Sequence, residues 1–248
     1  MVDWKETLRL LHTSDIHIGD EYAPARRLTE LTALVDAAIA QRVDALLIVG
    51  DFFDSTRVKR QDVEAALSQL ARLTVPTIIT NGNHDALDNP SIYDRIHLGD
   101  AGKHIYFVDD TDGRQIVLDD LHLAIWARAM LGHEPCHRPL QGYRRHPDGY
   151  WQVVLAHGYY FPSGEPPDRS SPIQAQEIAA LECDYLALGH WHHFLDVSVE
   201  GVTAFYSGSP AIGTANLVTL EPSAGSRVER IPLAIPAPSP CPPAFRRV

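Results

Sequence analysis

Asp44-Ala45-Leu46-Leu47-Ile48-Val49-Gly50-Asp51-Phe52-Phe53-Asp54, residues 44–54, runs from five consecutive aliphatic residues into a glycine and two carboxylates. An unbroken apolar run of that length reads as a strand buried on both faces, and the glycine allows the sharp turn that exposes the side chain after it. Strands buried on both faces belong to parallel sheets covered by helices. The flanking sequence agrees. Upstream, Thr7 to Thr13 reads as a short strand, and Ala25 to Gln41 places Leu28, Leu31, Leu34, Val35, Ala38 and Ile39 at helical spacing. Downstream, Val58 to Leu73 is helical with Val63, Ala66, Leu67 and Leu70 on one face, and Pro76 to Thr80 is a third strand. Strand and helix in alternation predict βαβ units and the α/β class.

After residue 100 the pattern changes. His104 to Val108, Gln115 to Leu118 and Leu121 to Ala127 read as shorter strands joined by turns such as Asp112-Gly113, an antiparallel or mixed continuation. Leu131 to Tyr150 has no apolar period and is expected to be a long surface loop near the functional site. Trp151 to Ala156 resumes as a strand, Phe161 to Pro172 is a proline-interrupted loop, and a short helix around Ile173 to Leu181 leads into a strand at Asp184 to Leu188. Phe194 to Val199, Thr203 to Ser207, Leu217 to Leu220 and Arg227 to Pro232 read as closing strands. The expected organisation is one catalytic domain over residues 1–231 and an extended proline-rich tail over 232–248.

A formal charge of -11 argues against a broad basic surface for nucleic acid, because such affinity comes mainly from lysine and arginine neutralising phosphates. Any anion must then be drawn in locally, and bound cations would do it. Thirteen histidines are generous for 248 residues and first suggest metal. No apolar run reaches the roughly 18 residues of a membrane span, and Met1 to Glu6 lacks the pattern of a secretory signal, so the expected setting is the cytoplasm without membrane contact. Cys136, Cys183 and Cys241 are scattered and odd in number, as reduced thiols would be.

Five of the expected strands end in metal-binding residue types, and open α/β sheets place ligands at that edge. The first delivers Asp15 and His17, which on extended backbone would point to one side and grip one ion. The second delivers Asp51 and Asp54, and the third Asn81-Gly82-Asn83-His84-Asp85. The fourth ends in His157-Gly158, and the fifth in Gly189-His190-Trp191-His192, another i, i+2 pair. A lone histidine at a strand end is more often an ordinary surface or core residue. Agreement of five strand ends, with apolar strand interiors, is what favours metal. His97, His104, His122, His133, His137 and His146 fall in no such pattern and are expected to be structural or solvated, while His12 and His193 fit either reading.

These blocks resemble the signature of the calcineurin-like metallophosphoesterases: Asp-x-His, Gly-Asp-x-x-Asp, Gly-Asn-His-Asp, His and Gly-His-x-His, all present in order. The flanking words His12-Thr13-Ser14-Asp15-Ile16-His17-Ile18-Gly19 and Tyr206-Ser207-Gly208-Ser209-Pro210 look most like the Mre11/SbcD nuclease branch. The resemblance covers roughly residues 7–212. It implies a four-layer α/β/β/α sandwich with parallel and mixed sheets. It also implies two divalent ions, manganese first and iron, zinc or nickel as alternatives. One ion would be held by Asp15, His17, Asp51 and His192, the other by Asp51, Asn83, His157 and His190, with Asp51 bridging. A water between two such ions becomes a nucleophile near neutral pH. His84 is implied as the catalytic residue, protonating the leaving oxygen or stabilising the transition state, with the Asp54 carboxylate orienting it.

Two substrate classes follow. One is DNA, cleaved by an SbcD-like phosphodiesterase or exonuclease partnered by an SMC-like ATPase; the other is a small nucleotide or similar phosphate ester, cleaved by a stand-alone phosphodiesterase or phosphatase. That branch usually carries a further DNA-capping domain, and little sequence follows Pro210 here. Arg26, Arg27, Arg57, Lys59, Arg60, Arg144 and Arg145 are the local basic groups available, though a solvated face is their commoner use. A noncatalytic binding module would be marked by lost ligands, and none is lost.

Overall fold

The computed structural model describes residues 6–88, 90–147, 149–164 and 169–237. Two six-stranded sheets stack face to face. The first contains β1 (Leu8–Thr13), β2 (Ala45–Val49), β3 (Thr77–Thr80) and β4 (Ile105–Val108), all parallel, with α1 (Pro24–Gln41) and α2 (Arg60–Leu70) as crossovers. The second contains β5 (Arg114–Leu118), β6 (Leu123–Ala127), β7 (Trp151–His157), β10 (Tyr185–Gly189), β11 (Leu195–Asp196) and β12 (Thr203–Tyr206). Its four central strands are parallel and its edges, β5 and β11, antiparallel. Between β7 and β10 lie β8 (Tyr159–Phe161), β9 (Pro172–Gln174) and α3 (Ala175–Ala179). The chain then returns to the first sheet as β13 (Thr214–Glu221) and β14 (Gly225–Pro232), antiparallel additions beside β1.

The apolar run in β2 follows from this layering. Its alternate residues serve different cores: Leu46 and Ile48 face Leu31, Leu34 and Val35 of α1 and Val63 and Leu70 of α2. Ala45, Leu47 and Val49 face Ile125, Val153, Leu155 and Ala187 of the second sheet. A third cluster on the far face packs Trp126, Val154, Leu186 and Leu188 under Leu140, Ile173 and Ile178.

The fold is α/β with mixed sheets, as expected, but two local readings change. Ile105–Val108 does not begin the continuation; it is the parallel edge of the first sheet, and the chain changes sheets at the Asp112-Gly113 turn. The ends of the Phe161–Pro172 segment form a short parallel pair, β8 with β9, missed because strands of three residues have no measurable period. Among the described residues, the outer layer on the second sheet is the short helix α3 with irregular chain around it. The tail expected over 232–248 lies outside the described residues beyond 237; before that, Leu233 is buried and its N–H donates to the Gly213 carbonyl. No helix among the described residues is long and apolar enough to cross a membrane.

His12 interrupts the inward-facing row of Leu8 and Leu10 on β1 and is fully buried between the sheets. Its Nδ1 lies 2.7 Å from the Tyr185 hydroxyl, and its Nε2 has no hydrogen-bond partner. Burial lowers its pKa from 6.5 to about 3. The unfolded chain therefore binds more protons than the native one below about pH 6.5, and stability is lost as pH falls from there toward 3. Lowering the pH from about 7.5 to about 5 should weaken the metal-free protein. His12→Gln should remove about 2 kcal/mol of that loss, read from urea midpoints at both pH values; an unchanged pH difference would show that His12 is charged in the native state.

Candidate metal centre

The carboxyl ends of β1, β2 and β3 in one sheet and of β7 and β10 in the other meet at a single edge, and all seven residues expected to hold metal gather there. Asp15 and His17 do not sit on extended backbone. The strand ends at Thr13, and both residues adopt left-handed conformations, with φ of 55° and 56°. Asp51 (φ 51°) and His190 (φ 103°) do the same. The i, i+2 argument therefore assumed a geometry the pair does not have: a bent loop aims the side chains. The loop is held to its neighbour by main-chain bonds from the N–H of Asp15 to Gly50 O (3.1 Å) and of His17 to Asp51 O (3.0 Å). Left-handed backbone is uncommon outside glycine, and four such residues in one cluster mark a site where surrounding structure overrides local preference.

The donor atoms form two groups. In the first, His17 Nε2 and His192 Nε2 lie 3.3 Å apart, and His192 Nε2 lies 3.7 Å from Asp15 Oδ1. Asp15 Oδ2 accepts hydrogen bonds from the Ser14 hydroxyl and the His190 N–H, whereas Oδ1 is buried with no partner. In the second, His157 Nε2 lies 3.4 Å from Asp51 Oδ2 and 3.2 Å from Asn83 Oδ1, and His190 Nδ1 lies 3.0 Å from the same Asn83 oxygen. His190 and His192 thus serve different groups rather than gripping one ion. His157 Nδ1 donates to the Val49 carbonyl at 3.0 Å, so Nε2 is the nitrogen turned inward.

This donor set fits metal ions. Asp15, His17 and His192, and likewise Asp15, Asp51 and His157, offer atoms all within 4.8 Å of one another. An orphaned buried carboxylate oxygen facing two imidazole nitrogens lacks a cation, because burying unpaired charge is costly. Burial raises the Asp15 carboxyl despite His157, and the Asp51 charge raises it further. Burial also opposes charge on Asp51, but His157 overcomes it and holds Asp51 below the usual carboxylate range. On His157 burial lowers the pKa, yet the carboxylates of Asp51 and then Asp15 leave it raised to about 10. Burial lowers His17 to about 3 and His190 to about 4, keeping both rings neutral as ligands must be.

His84 is exposed at the rim. Its N–H donates to Asp51 Oδ1 at 2.9 Å, and its Nδ1 donates to the main-chain carbonyl of Asp54 at 2.9 Å. The Asp54 carboxylate, expected to orient this ring, stands 3.8 Å from it. That carboxylate is closer to His17 Nδ1, at 3.1 Å, though without hydrogen-bond alignment. Its position matches the carboxylate that commonly orients a metal-binding imidazole through its other nitrogen.

Asp85, quoted in the motif but given no role, proves central to the geometry. It is fully buried and accepts from the N–H groups of Phe52 (2.9 Å), Phe53 (3.1 Å) and Gly82 (2.7 Å) and from the Tyr93 hydroxyl (2.7 Å). It therefore locks the loop carrying Asp51 to the loop carrying Asn83 and His84. The signal was an aspartate able to fold back on a main-chain N–H three residues earlier. Two glycines are required by proximity: a Cβ at Gly50 would sit 2.0 Å from His157 Nδ1, and one at Gly82 would sit 2.3 Å from Asp51 Oδ1.

The remaining histidines divide. His193 is exposed, while His133 borders a cavity beside His190. His137 is partly buried, and burial with the charges of Arg128 and His157 lowers it to about 4. The irregular chain around His133 and His137 thus lies against the centre. Of the basic residues, Arg26 and Arg27 bind Glu30, Arg27 also binds Asp20, and Arg60 binds Glu64.

A family model described as calcineurin-like phosphoesterase matches residues 8–194, and the chain belongs to that family, a hydrolase superfamily. The uncharacterized metallophosphoesterase YhaO of Bacillus subtilis is 24% identical over 222 residues, covering 82% of this chain and 53% of that protein. One component of the SbcCD nuclease of the same organism is 25% identical over 241 residues, covering 82% and 61%. This chain spans roughly half to three-fifths of the length of those two relatives. A dimetal phosphatase from Danio rerio has the same fold, with a TM-score of 0.55 at 12% identity over 92% of this chain and 99% of the other.

One consequence concerns protons. His157, raised to about 10, should carry two ring protons in metal-free protein at about pH 8, where an ordinary histidine carries one. Nitrogen-15 NMR of the His157 ring should show this, and Asp51→Asn should return the ring to single protonation; a neutral ring in the unsubstituted chain would rule out the ion pair.

Proposed function

We propose that this chain hydrolyses phosphodiester bonds with a water activated between two divalent cations. Asp15, His17, Asp51 and His192 would hold one ion, and Asp51, Asn83, His157 and His190 the other. The observation that carries this reading is the convergence of Asp15 Oδ1, left without a partner, with the inward nitrogens of His17 and His192 beside the second group centred on Asn83 Oδ1. Two bound dications would lower the pKa of a water and neutralise charge on the phosphoryl oxygens, and manganese is the first choice.

The protein's own groups do the rest. Asp15 and Asp51 together carry at most two negative charges, so a doubly loaded centre is net positive and draws in phosphate despite the chain's -11. Main-chain bonds and Asp85 hold the loops in place before substrate arrives, so little reorganisation remains for the reaction. His84 points its free Nε2 outward, because Nδ1 is spent on the Asp54 carbonyl. When the ring is doubly protonated, that nitrogen can donate to the leaving oxygen or to the transition state.

The favoured substrate is DNA, cleaved as an exonuclease of SbcD type; the support is the SbcCD nuclease among the relatives and the Tyr206–Pro210 segment. Ser209 Oγ of that segment donates to the Asp15 carbonyl at 2.7 Å, and Ser207 Oγ lies 3.2 Å from Ser14 Oγ. The branch resemblance also implies an SMC-like ATPase as partner, and the setting we propose is the cytoplasm, where Cys136 and Cys183 would stay reduced. The second reading, a stand-alone enzyme for small phosphate esters, rests on the chain's formal charge of -11.

A manganese-supplemented panel of single- and double-stranded DNA, a bis-aryl phosphodiester, an aryl phosphomonoester and cyclic nucleotides separates them. His84→Ala should keep both metals by elemental analysis while turnover falls about 10²–10⁴-fold. Asp51→Asn should lose metal and activity together. A His84→Ala enzyme at full rate on a substrate with a poor leaving group would end the role assigned to that residue.

A further inference from the structure

On the His190 side of the centre lies a cavity of about 340 Å³ lined by His133, Pro135, Arg169, Ser170 and His190. Its volume is at the low end of ligand pockets, about 300–1,000 Å³. Three separate segments build it, and none of Pro135, Arg169 or Ser170 has a part in holding metal or in the proposed chemistry.

The Arg169 guanidinium lies over the Tyr159 ring, 4.8 Å from its centroid. Tyr159 in turn stacks on Trp191, at 5.8 Å with 29° between planes, and Trp191 meets Tyr206 edge-on at 6.4 Å. An arginine held by its face keeps its edge donors free and ordered. Among the described residues the Arg169 side chain makes no ion pair with a carboxylate and no hydrogen bond, whereas Arg27, Arg60 and Arg72 are paired to carboxylates and Arg95 and Arg128 to carbonyls. Arg169 is thus stacked in place beside the metal centre, with no carboxylate on it among the described residues and its edge donors open to an anion.

The wall is also pinned. Ser170 Oγ donates to the Glu134 carbonyl at 3.1 Å, joining the Arg169 segment to the loop that carries His133. The Tyr159 N–H donates to the Ser171 carbonyl at 2.9 Å. A Cβ at Gly158 would sit 2.2 Å from that same carbonyl, so glycine after His157 lets the Arg169 segment press against the strand end that supplies a metal-binding histidine.

We propose that this cavity is a second phosphate subsite, in which the Arg169 fork, assisted by His133, receives a phosphate one linkage away from the one being cleaved. The inference rests on the phosphoesterase reading and deepens it: the substrate class it selects is a nucleoside phosphodiester bearing an additional phosphate. That phosphate is either a terminal monoester or the next diester of a strand. Tyr159 and Trp191 are positioning residues for the guanidinium.

The test compares wild type, Arg169→Ala and Arg169→Lys, each checked for native circular dichroism and manganese content. The substrates are the dinucleoside phosphate TpT, with a single phosphate, pTpT, which adds a terminal monoester, and TpTpT, which adds a diester. Arg169→Ala should raise KM about tenfold or more on pTpT, TpTpT or both, the scale of one charge-assisted pair, with kcat and the TpT constants unchanged. Arg169→Lys should recover part of that loss. The arm that responds identifies the kind of phosphate. Equal losses on TpT and on the longer substrates, or no change on any, overturn the subsite.

Calorimetric binding of thymidine 3′,5′-bisphosphate, with manganese present, separates this from the function itself. A tenfold weaker affinity in Arg169→Ala supports the subsite even if no substrate is turned over, an outcome that would sink the phosphoesterase reading alone. Equal affinities in wild type and Arg169→Ala overturn the subsite and leave that reading standing.

Discussion

Two carboxylates, Asp15 and Asp51, are buried at the edge where the two sheets meet, and their charge must be answered inside the protein. Taking an ion out of water costs several kcal/mol even after relaxation. The chain compensates in part: Asp51 receives the His84 N–H and pairs with His157, and Asp15 receives Ser14 and the His190 N–H. The compensation stops short at Asp15 Oδ1, which faces imidazole nitrogens and no donor. The arrangement is therefore finished for a dication and unfinished without one. Left-handed backbone at Asp15, His17, Asp51 and His190 is a further cost in the same place, of order 1–3 kcal/mol for each such residue. The two packed cores on either face of the first sheet, and the third beyond the second sheet, are what sustain these terms.

The sandwich is suited to this because strand polarity concentrates the loops. In each sheet the central strands run parallel, so their carboxyl ends open on one edge; stacking the sheets brings β1, β2 and β3 opposite β7 and β10. Residues separated by up to 177 positions, from Asp15 to His192, meet without any long excursion of the chain. Glycine makes the meeting close enough. The missing Cβ of Gly50 is where His157 sits, that of Gly82 is where Asp51 sits, and one at Gly189 would lie 1.9 Å from the Val49 carbonyl. The recurring Gly-Asp, Gly-Asn and Gly-His words are thus packing requirements between loops of the two sheets as much as turn signals.

The buried frame was legible because it follows periodicity. The apolar run of β2 and the 3.6-residue stripes of α1 and α2 name their elements and their inward faces directly. The seven donor residues were legible because each ends such a run. What periodicity cannot carry is conformation after the strand stops. Nothing in Asp15-Ile16-His17 distinguishes extended from left-handed backbone, so the pair was reached through a geometry it does not have. The partner of His84 was likewise invisible, because the choice between the carboxylate and the main-chain carbonyl of Asp54 depends on how the 51–54 loop bends under Asp85. Three-residue strands such as β8 and β9 carry too few side chains to show alternation, and they were folded into a loop.

The same distinction explains why chemistry can be read further than substrate. The floor of the centre consists of residues that any phosphate ester would meet in the same way: an ion ligand does not discriminate between ester groups beyond the phosphorus. Discrimination has to come from the rim, and the rim is assembled from the segments with least pattern. His133 and Pro135 belong to an aperiodic loop, Arg169 and Ser170 to the proline-interrupted one, and Trp191 lies between two histidines that draw the eye first. Arg169 gains its meaning only when the fold lays Tyr159 beneath it. In sequence it is one arginine among many in an acidic chain; in the structure it lines one cavity with His190.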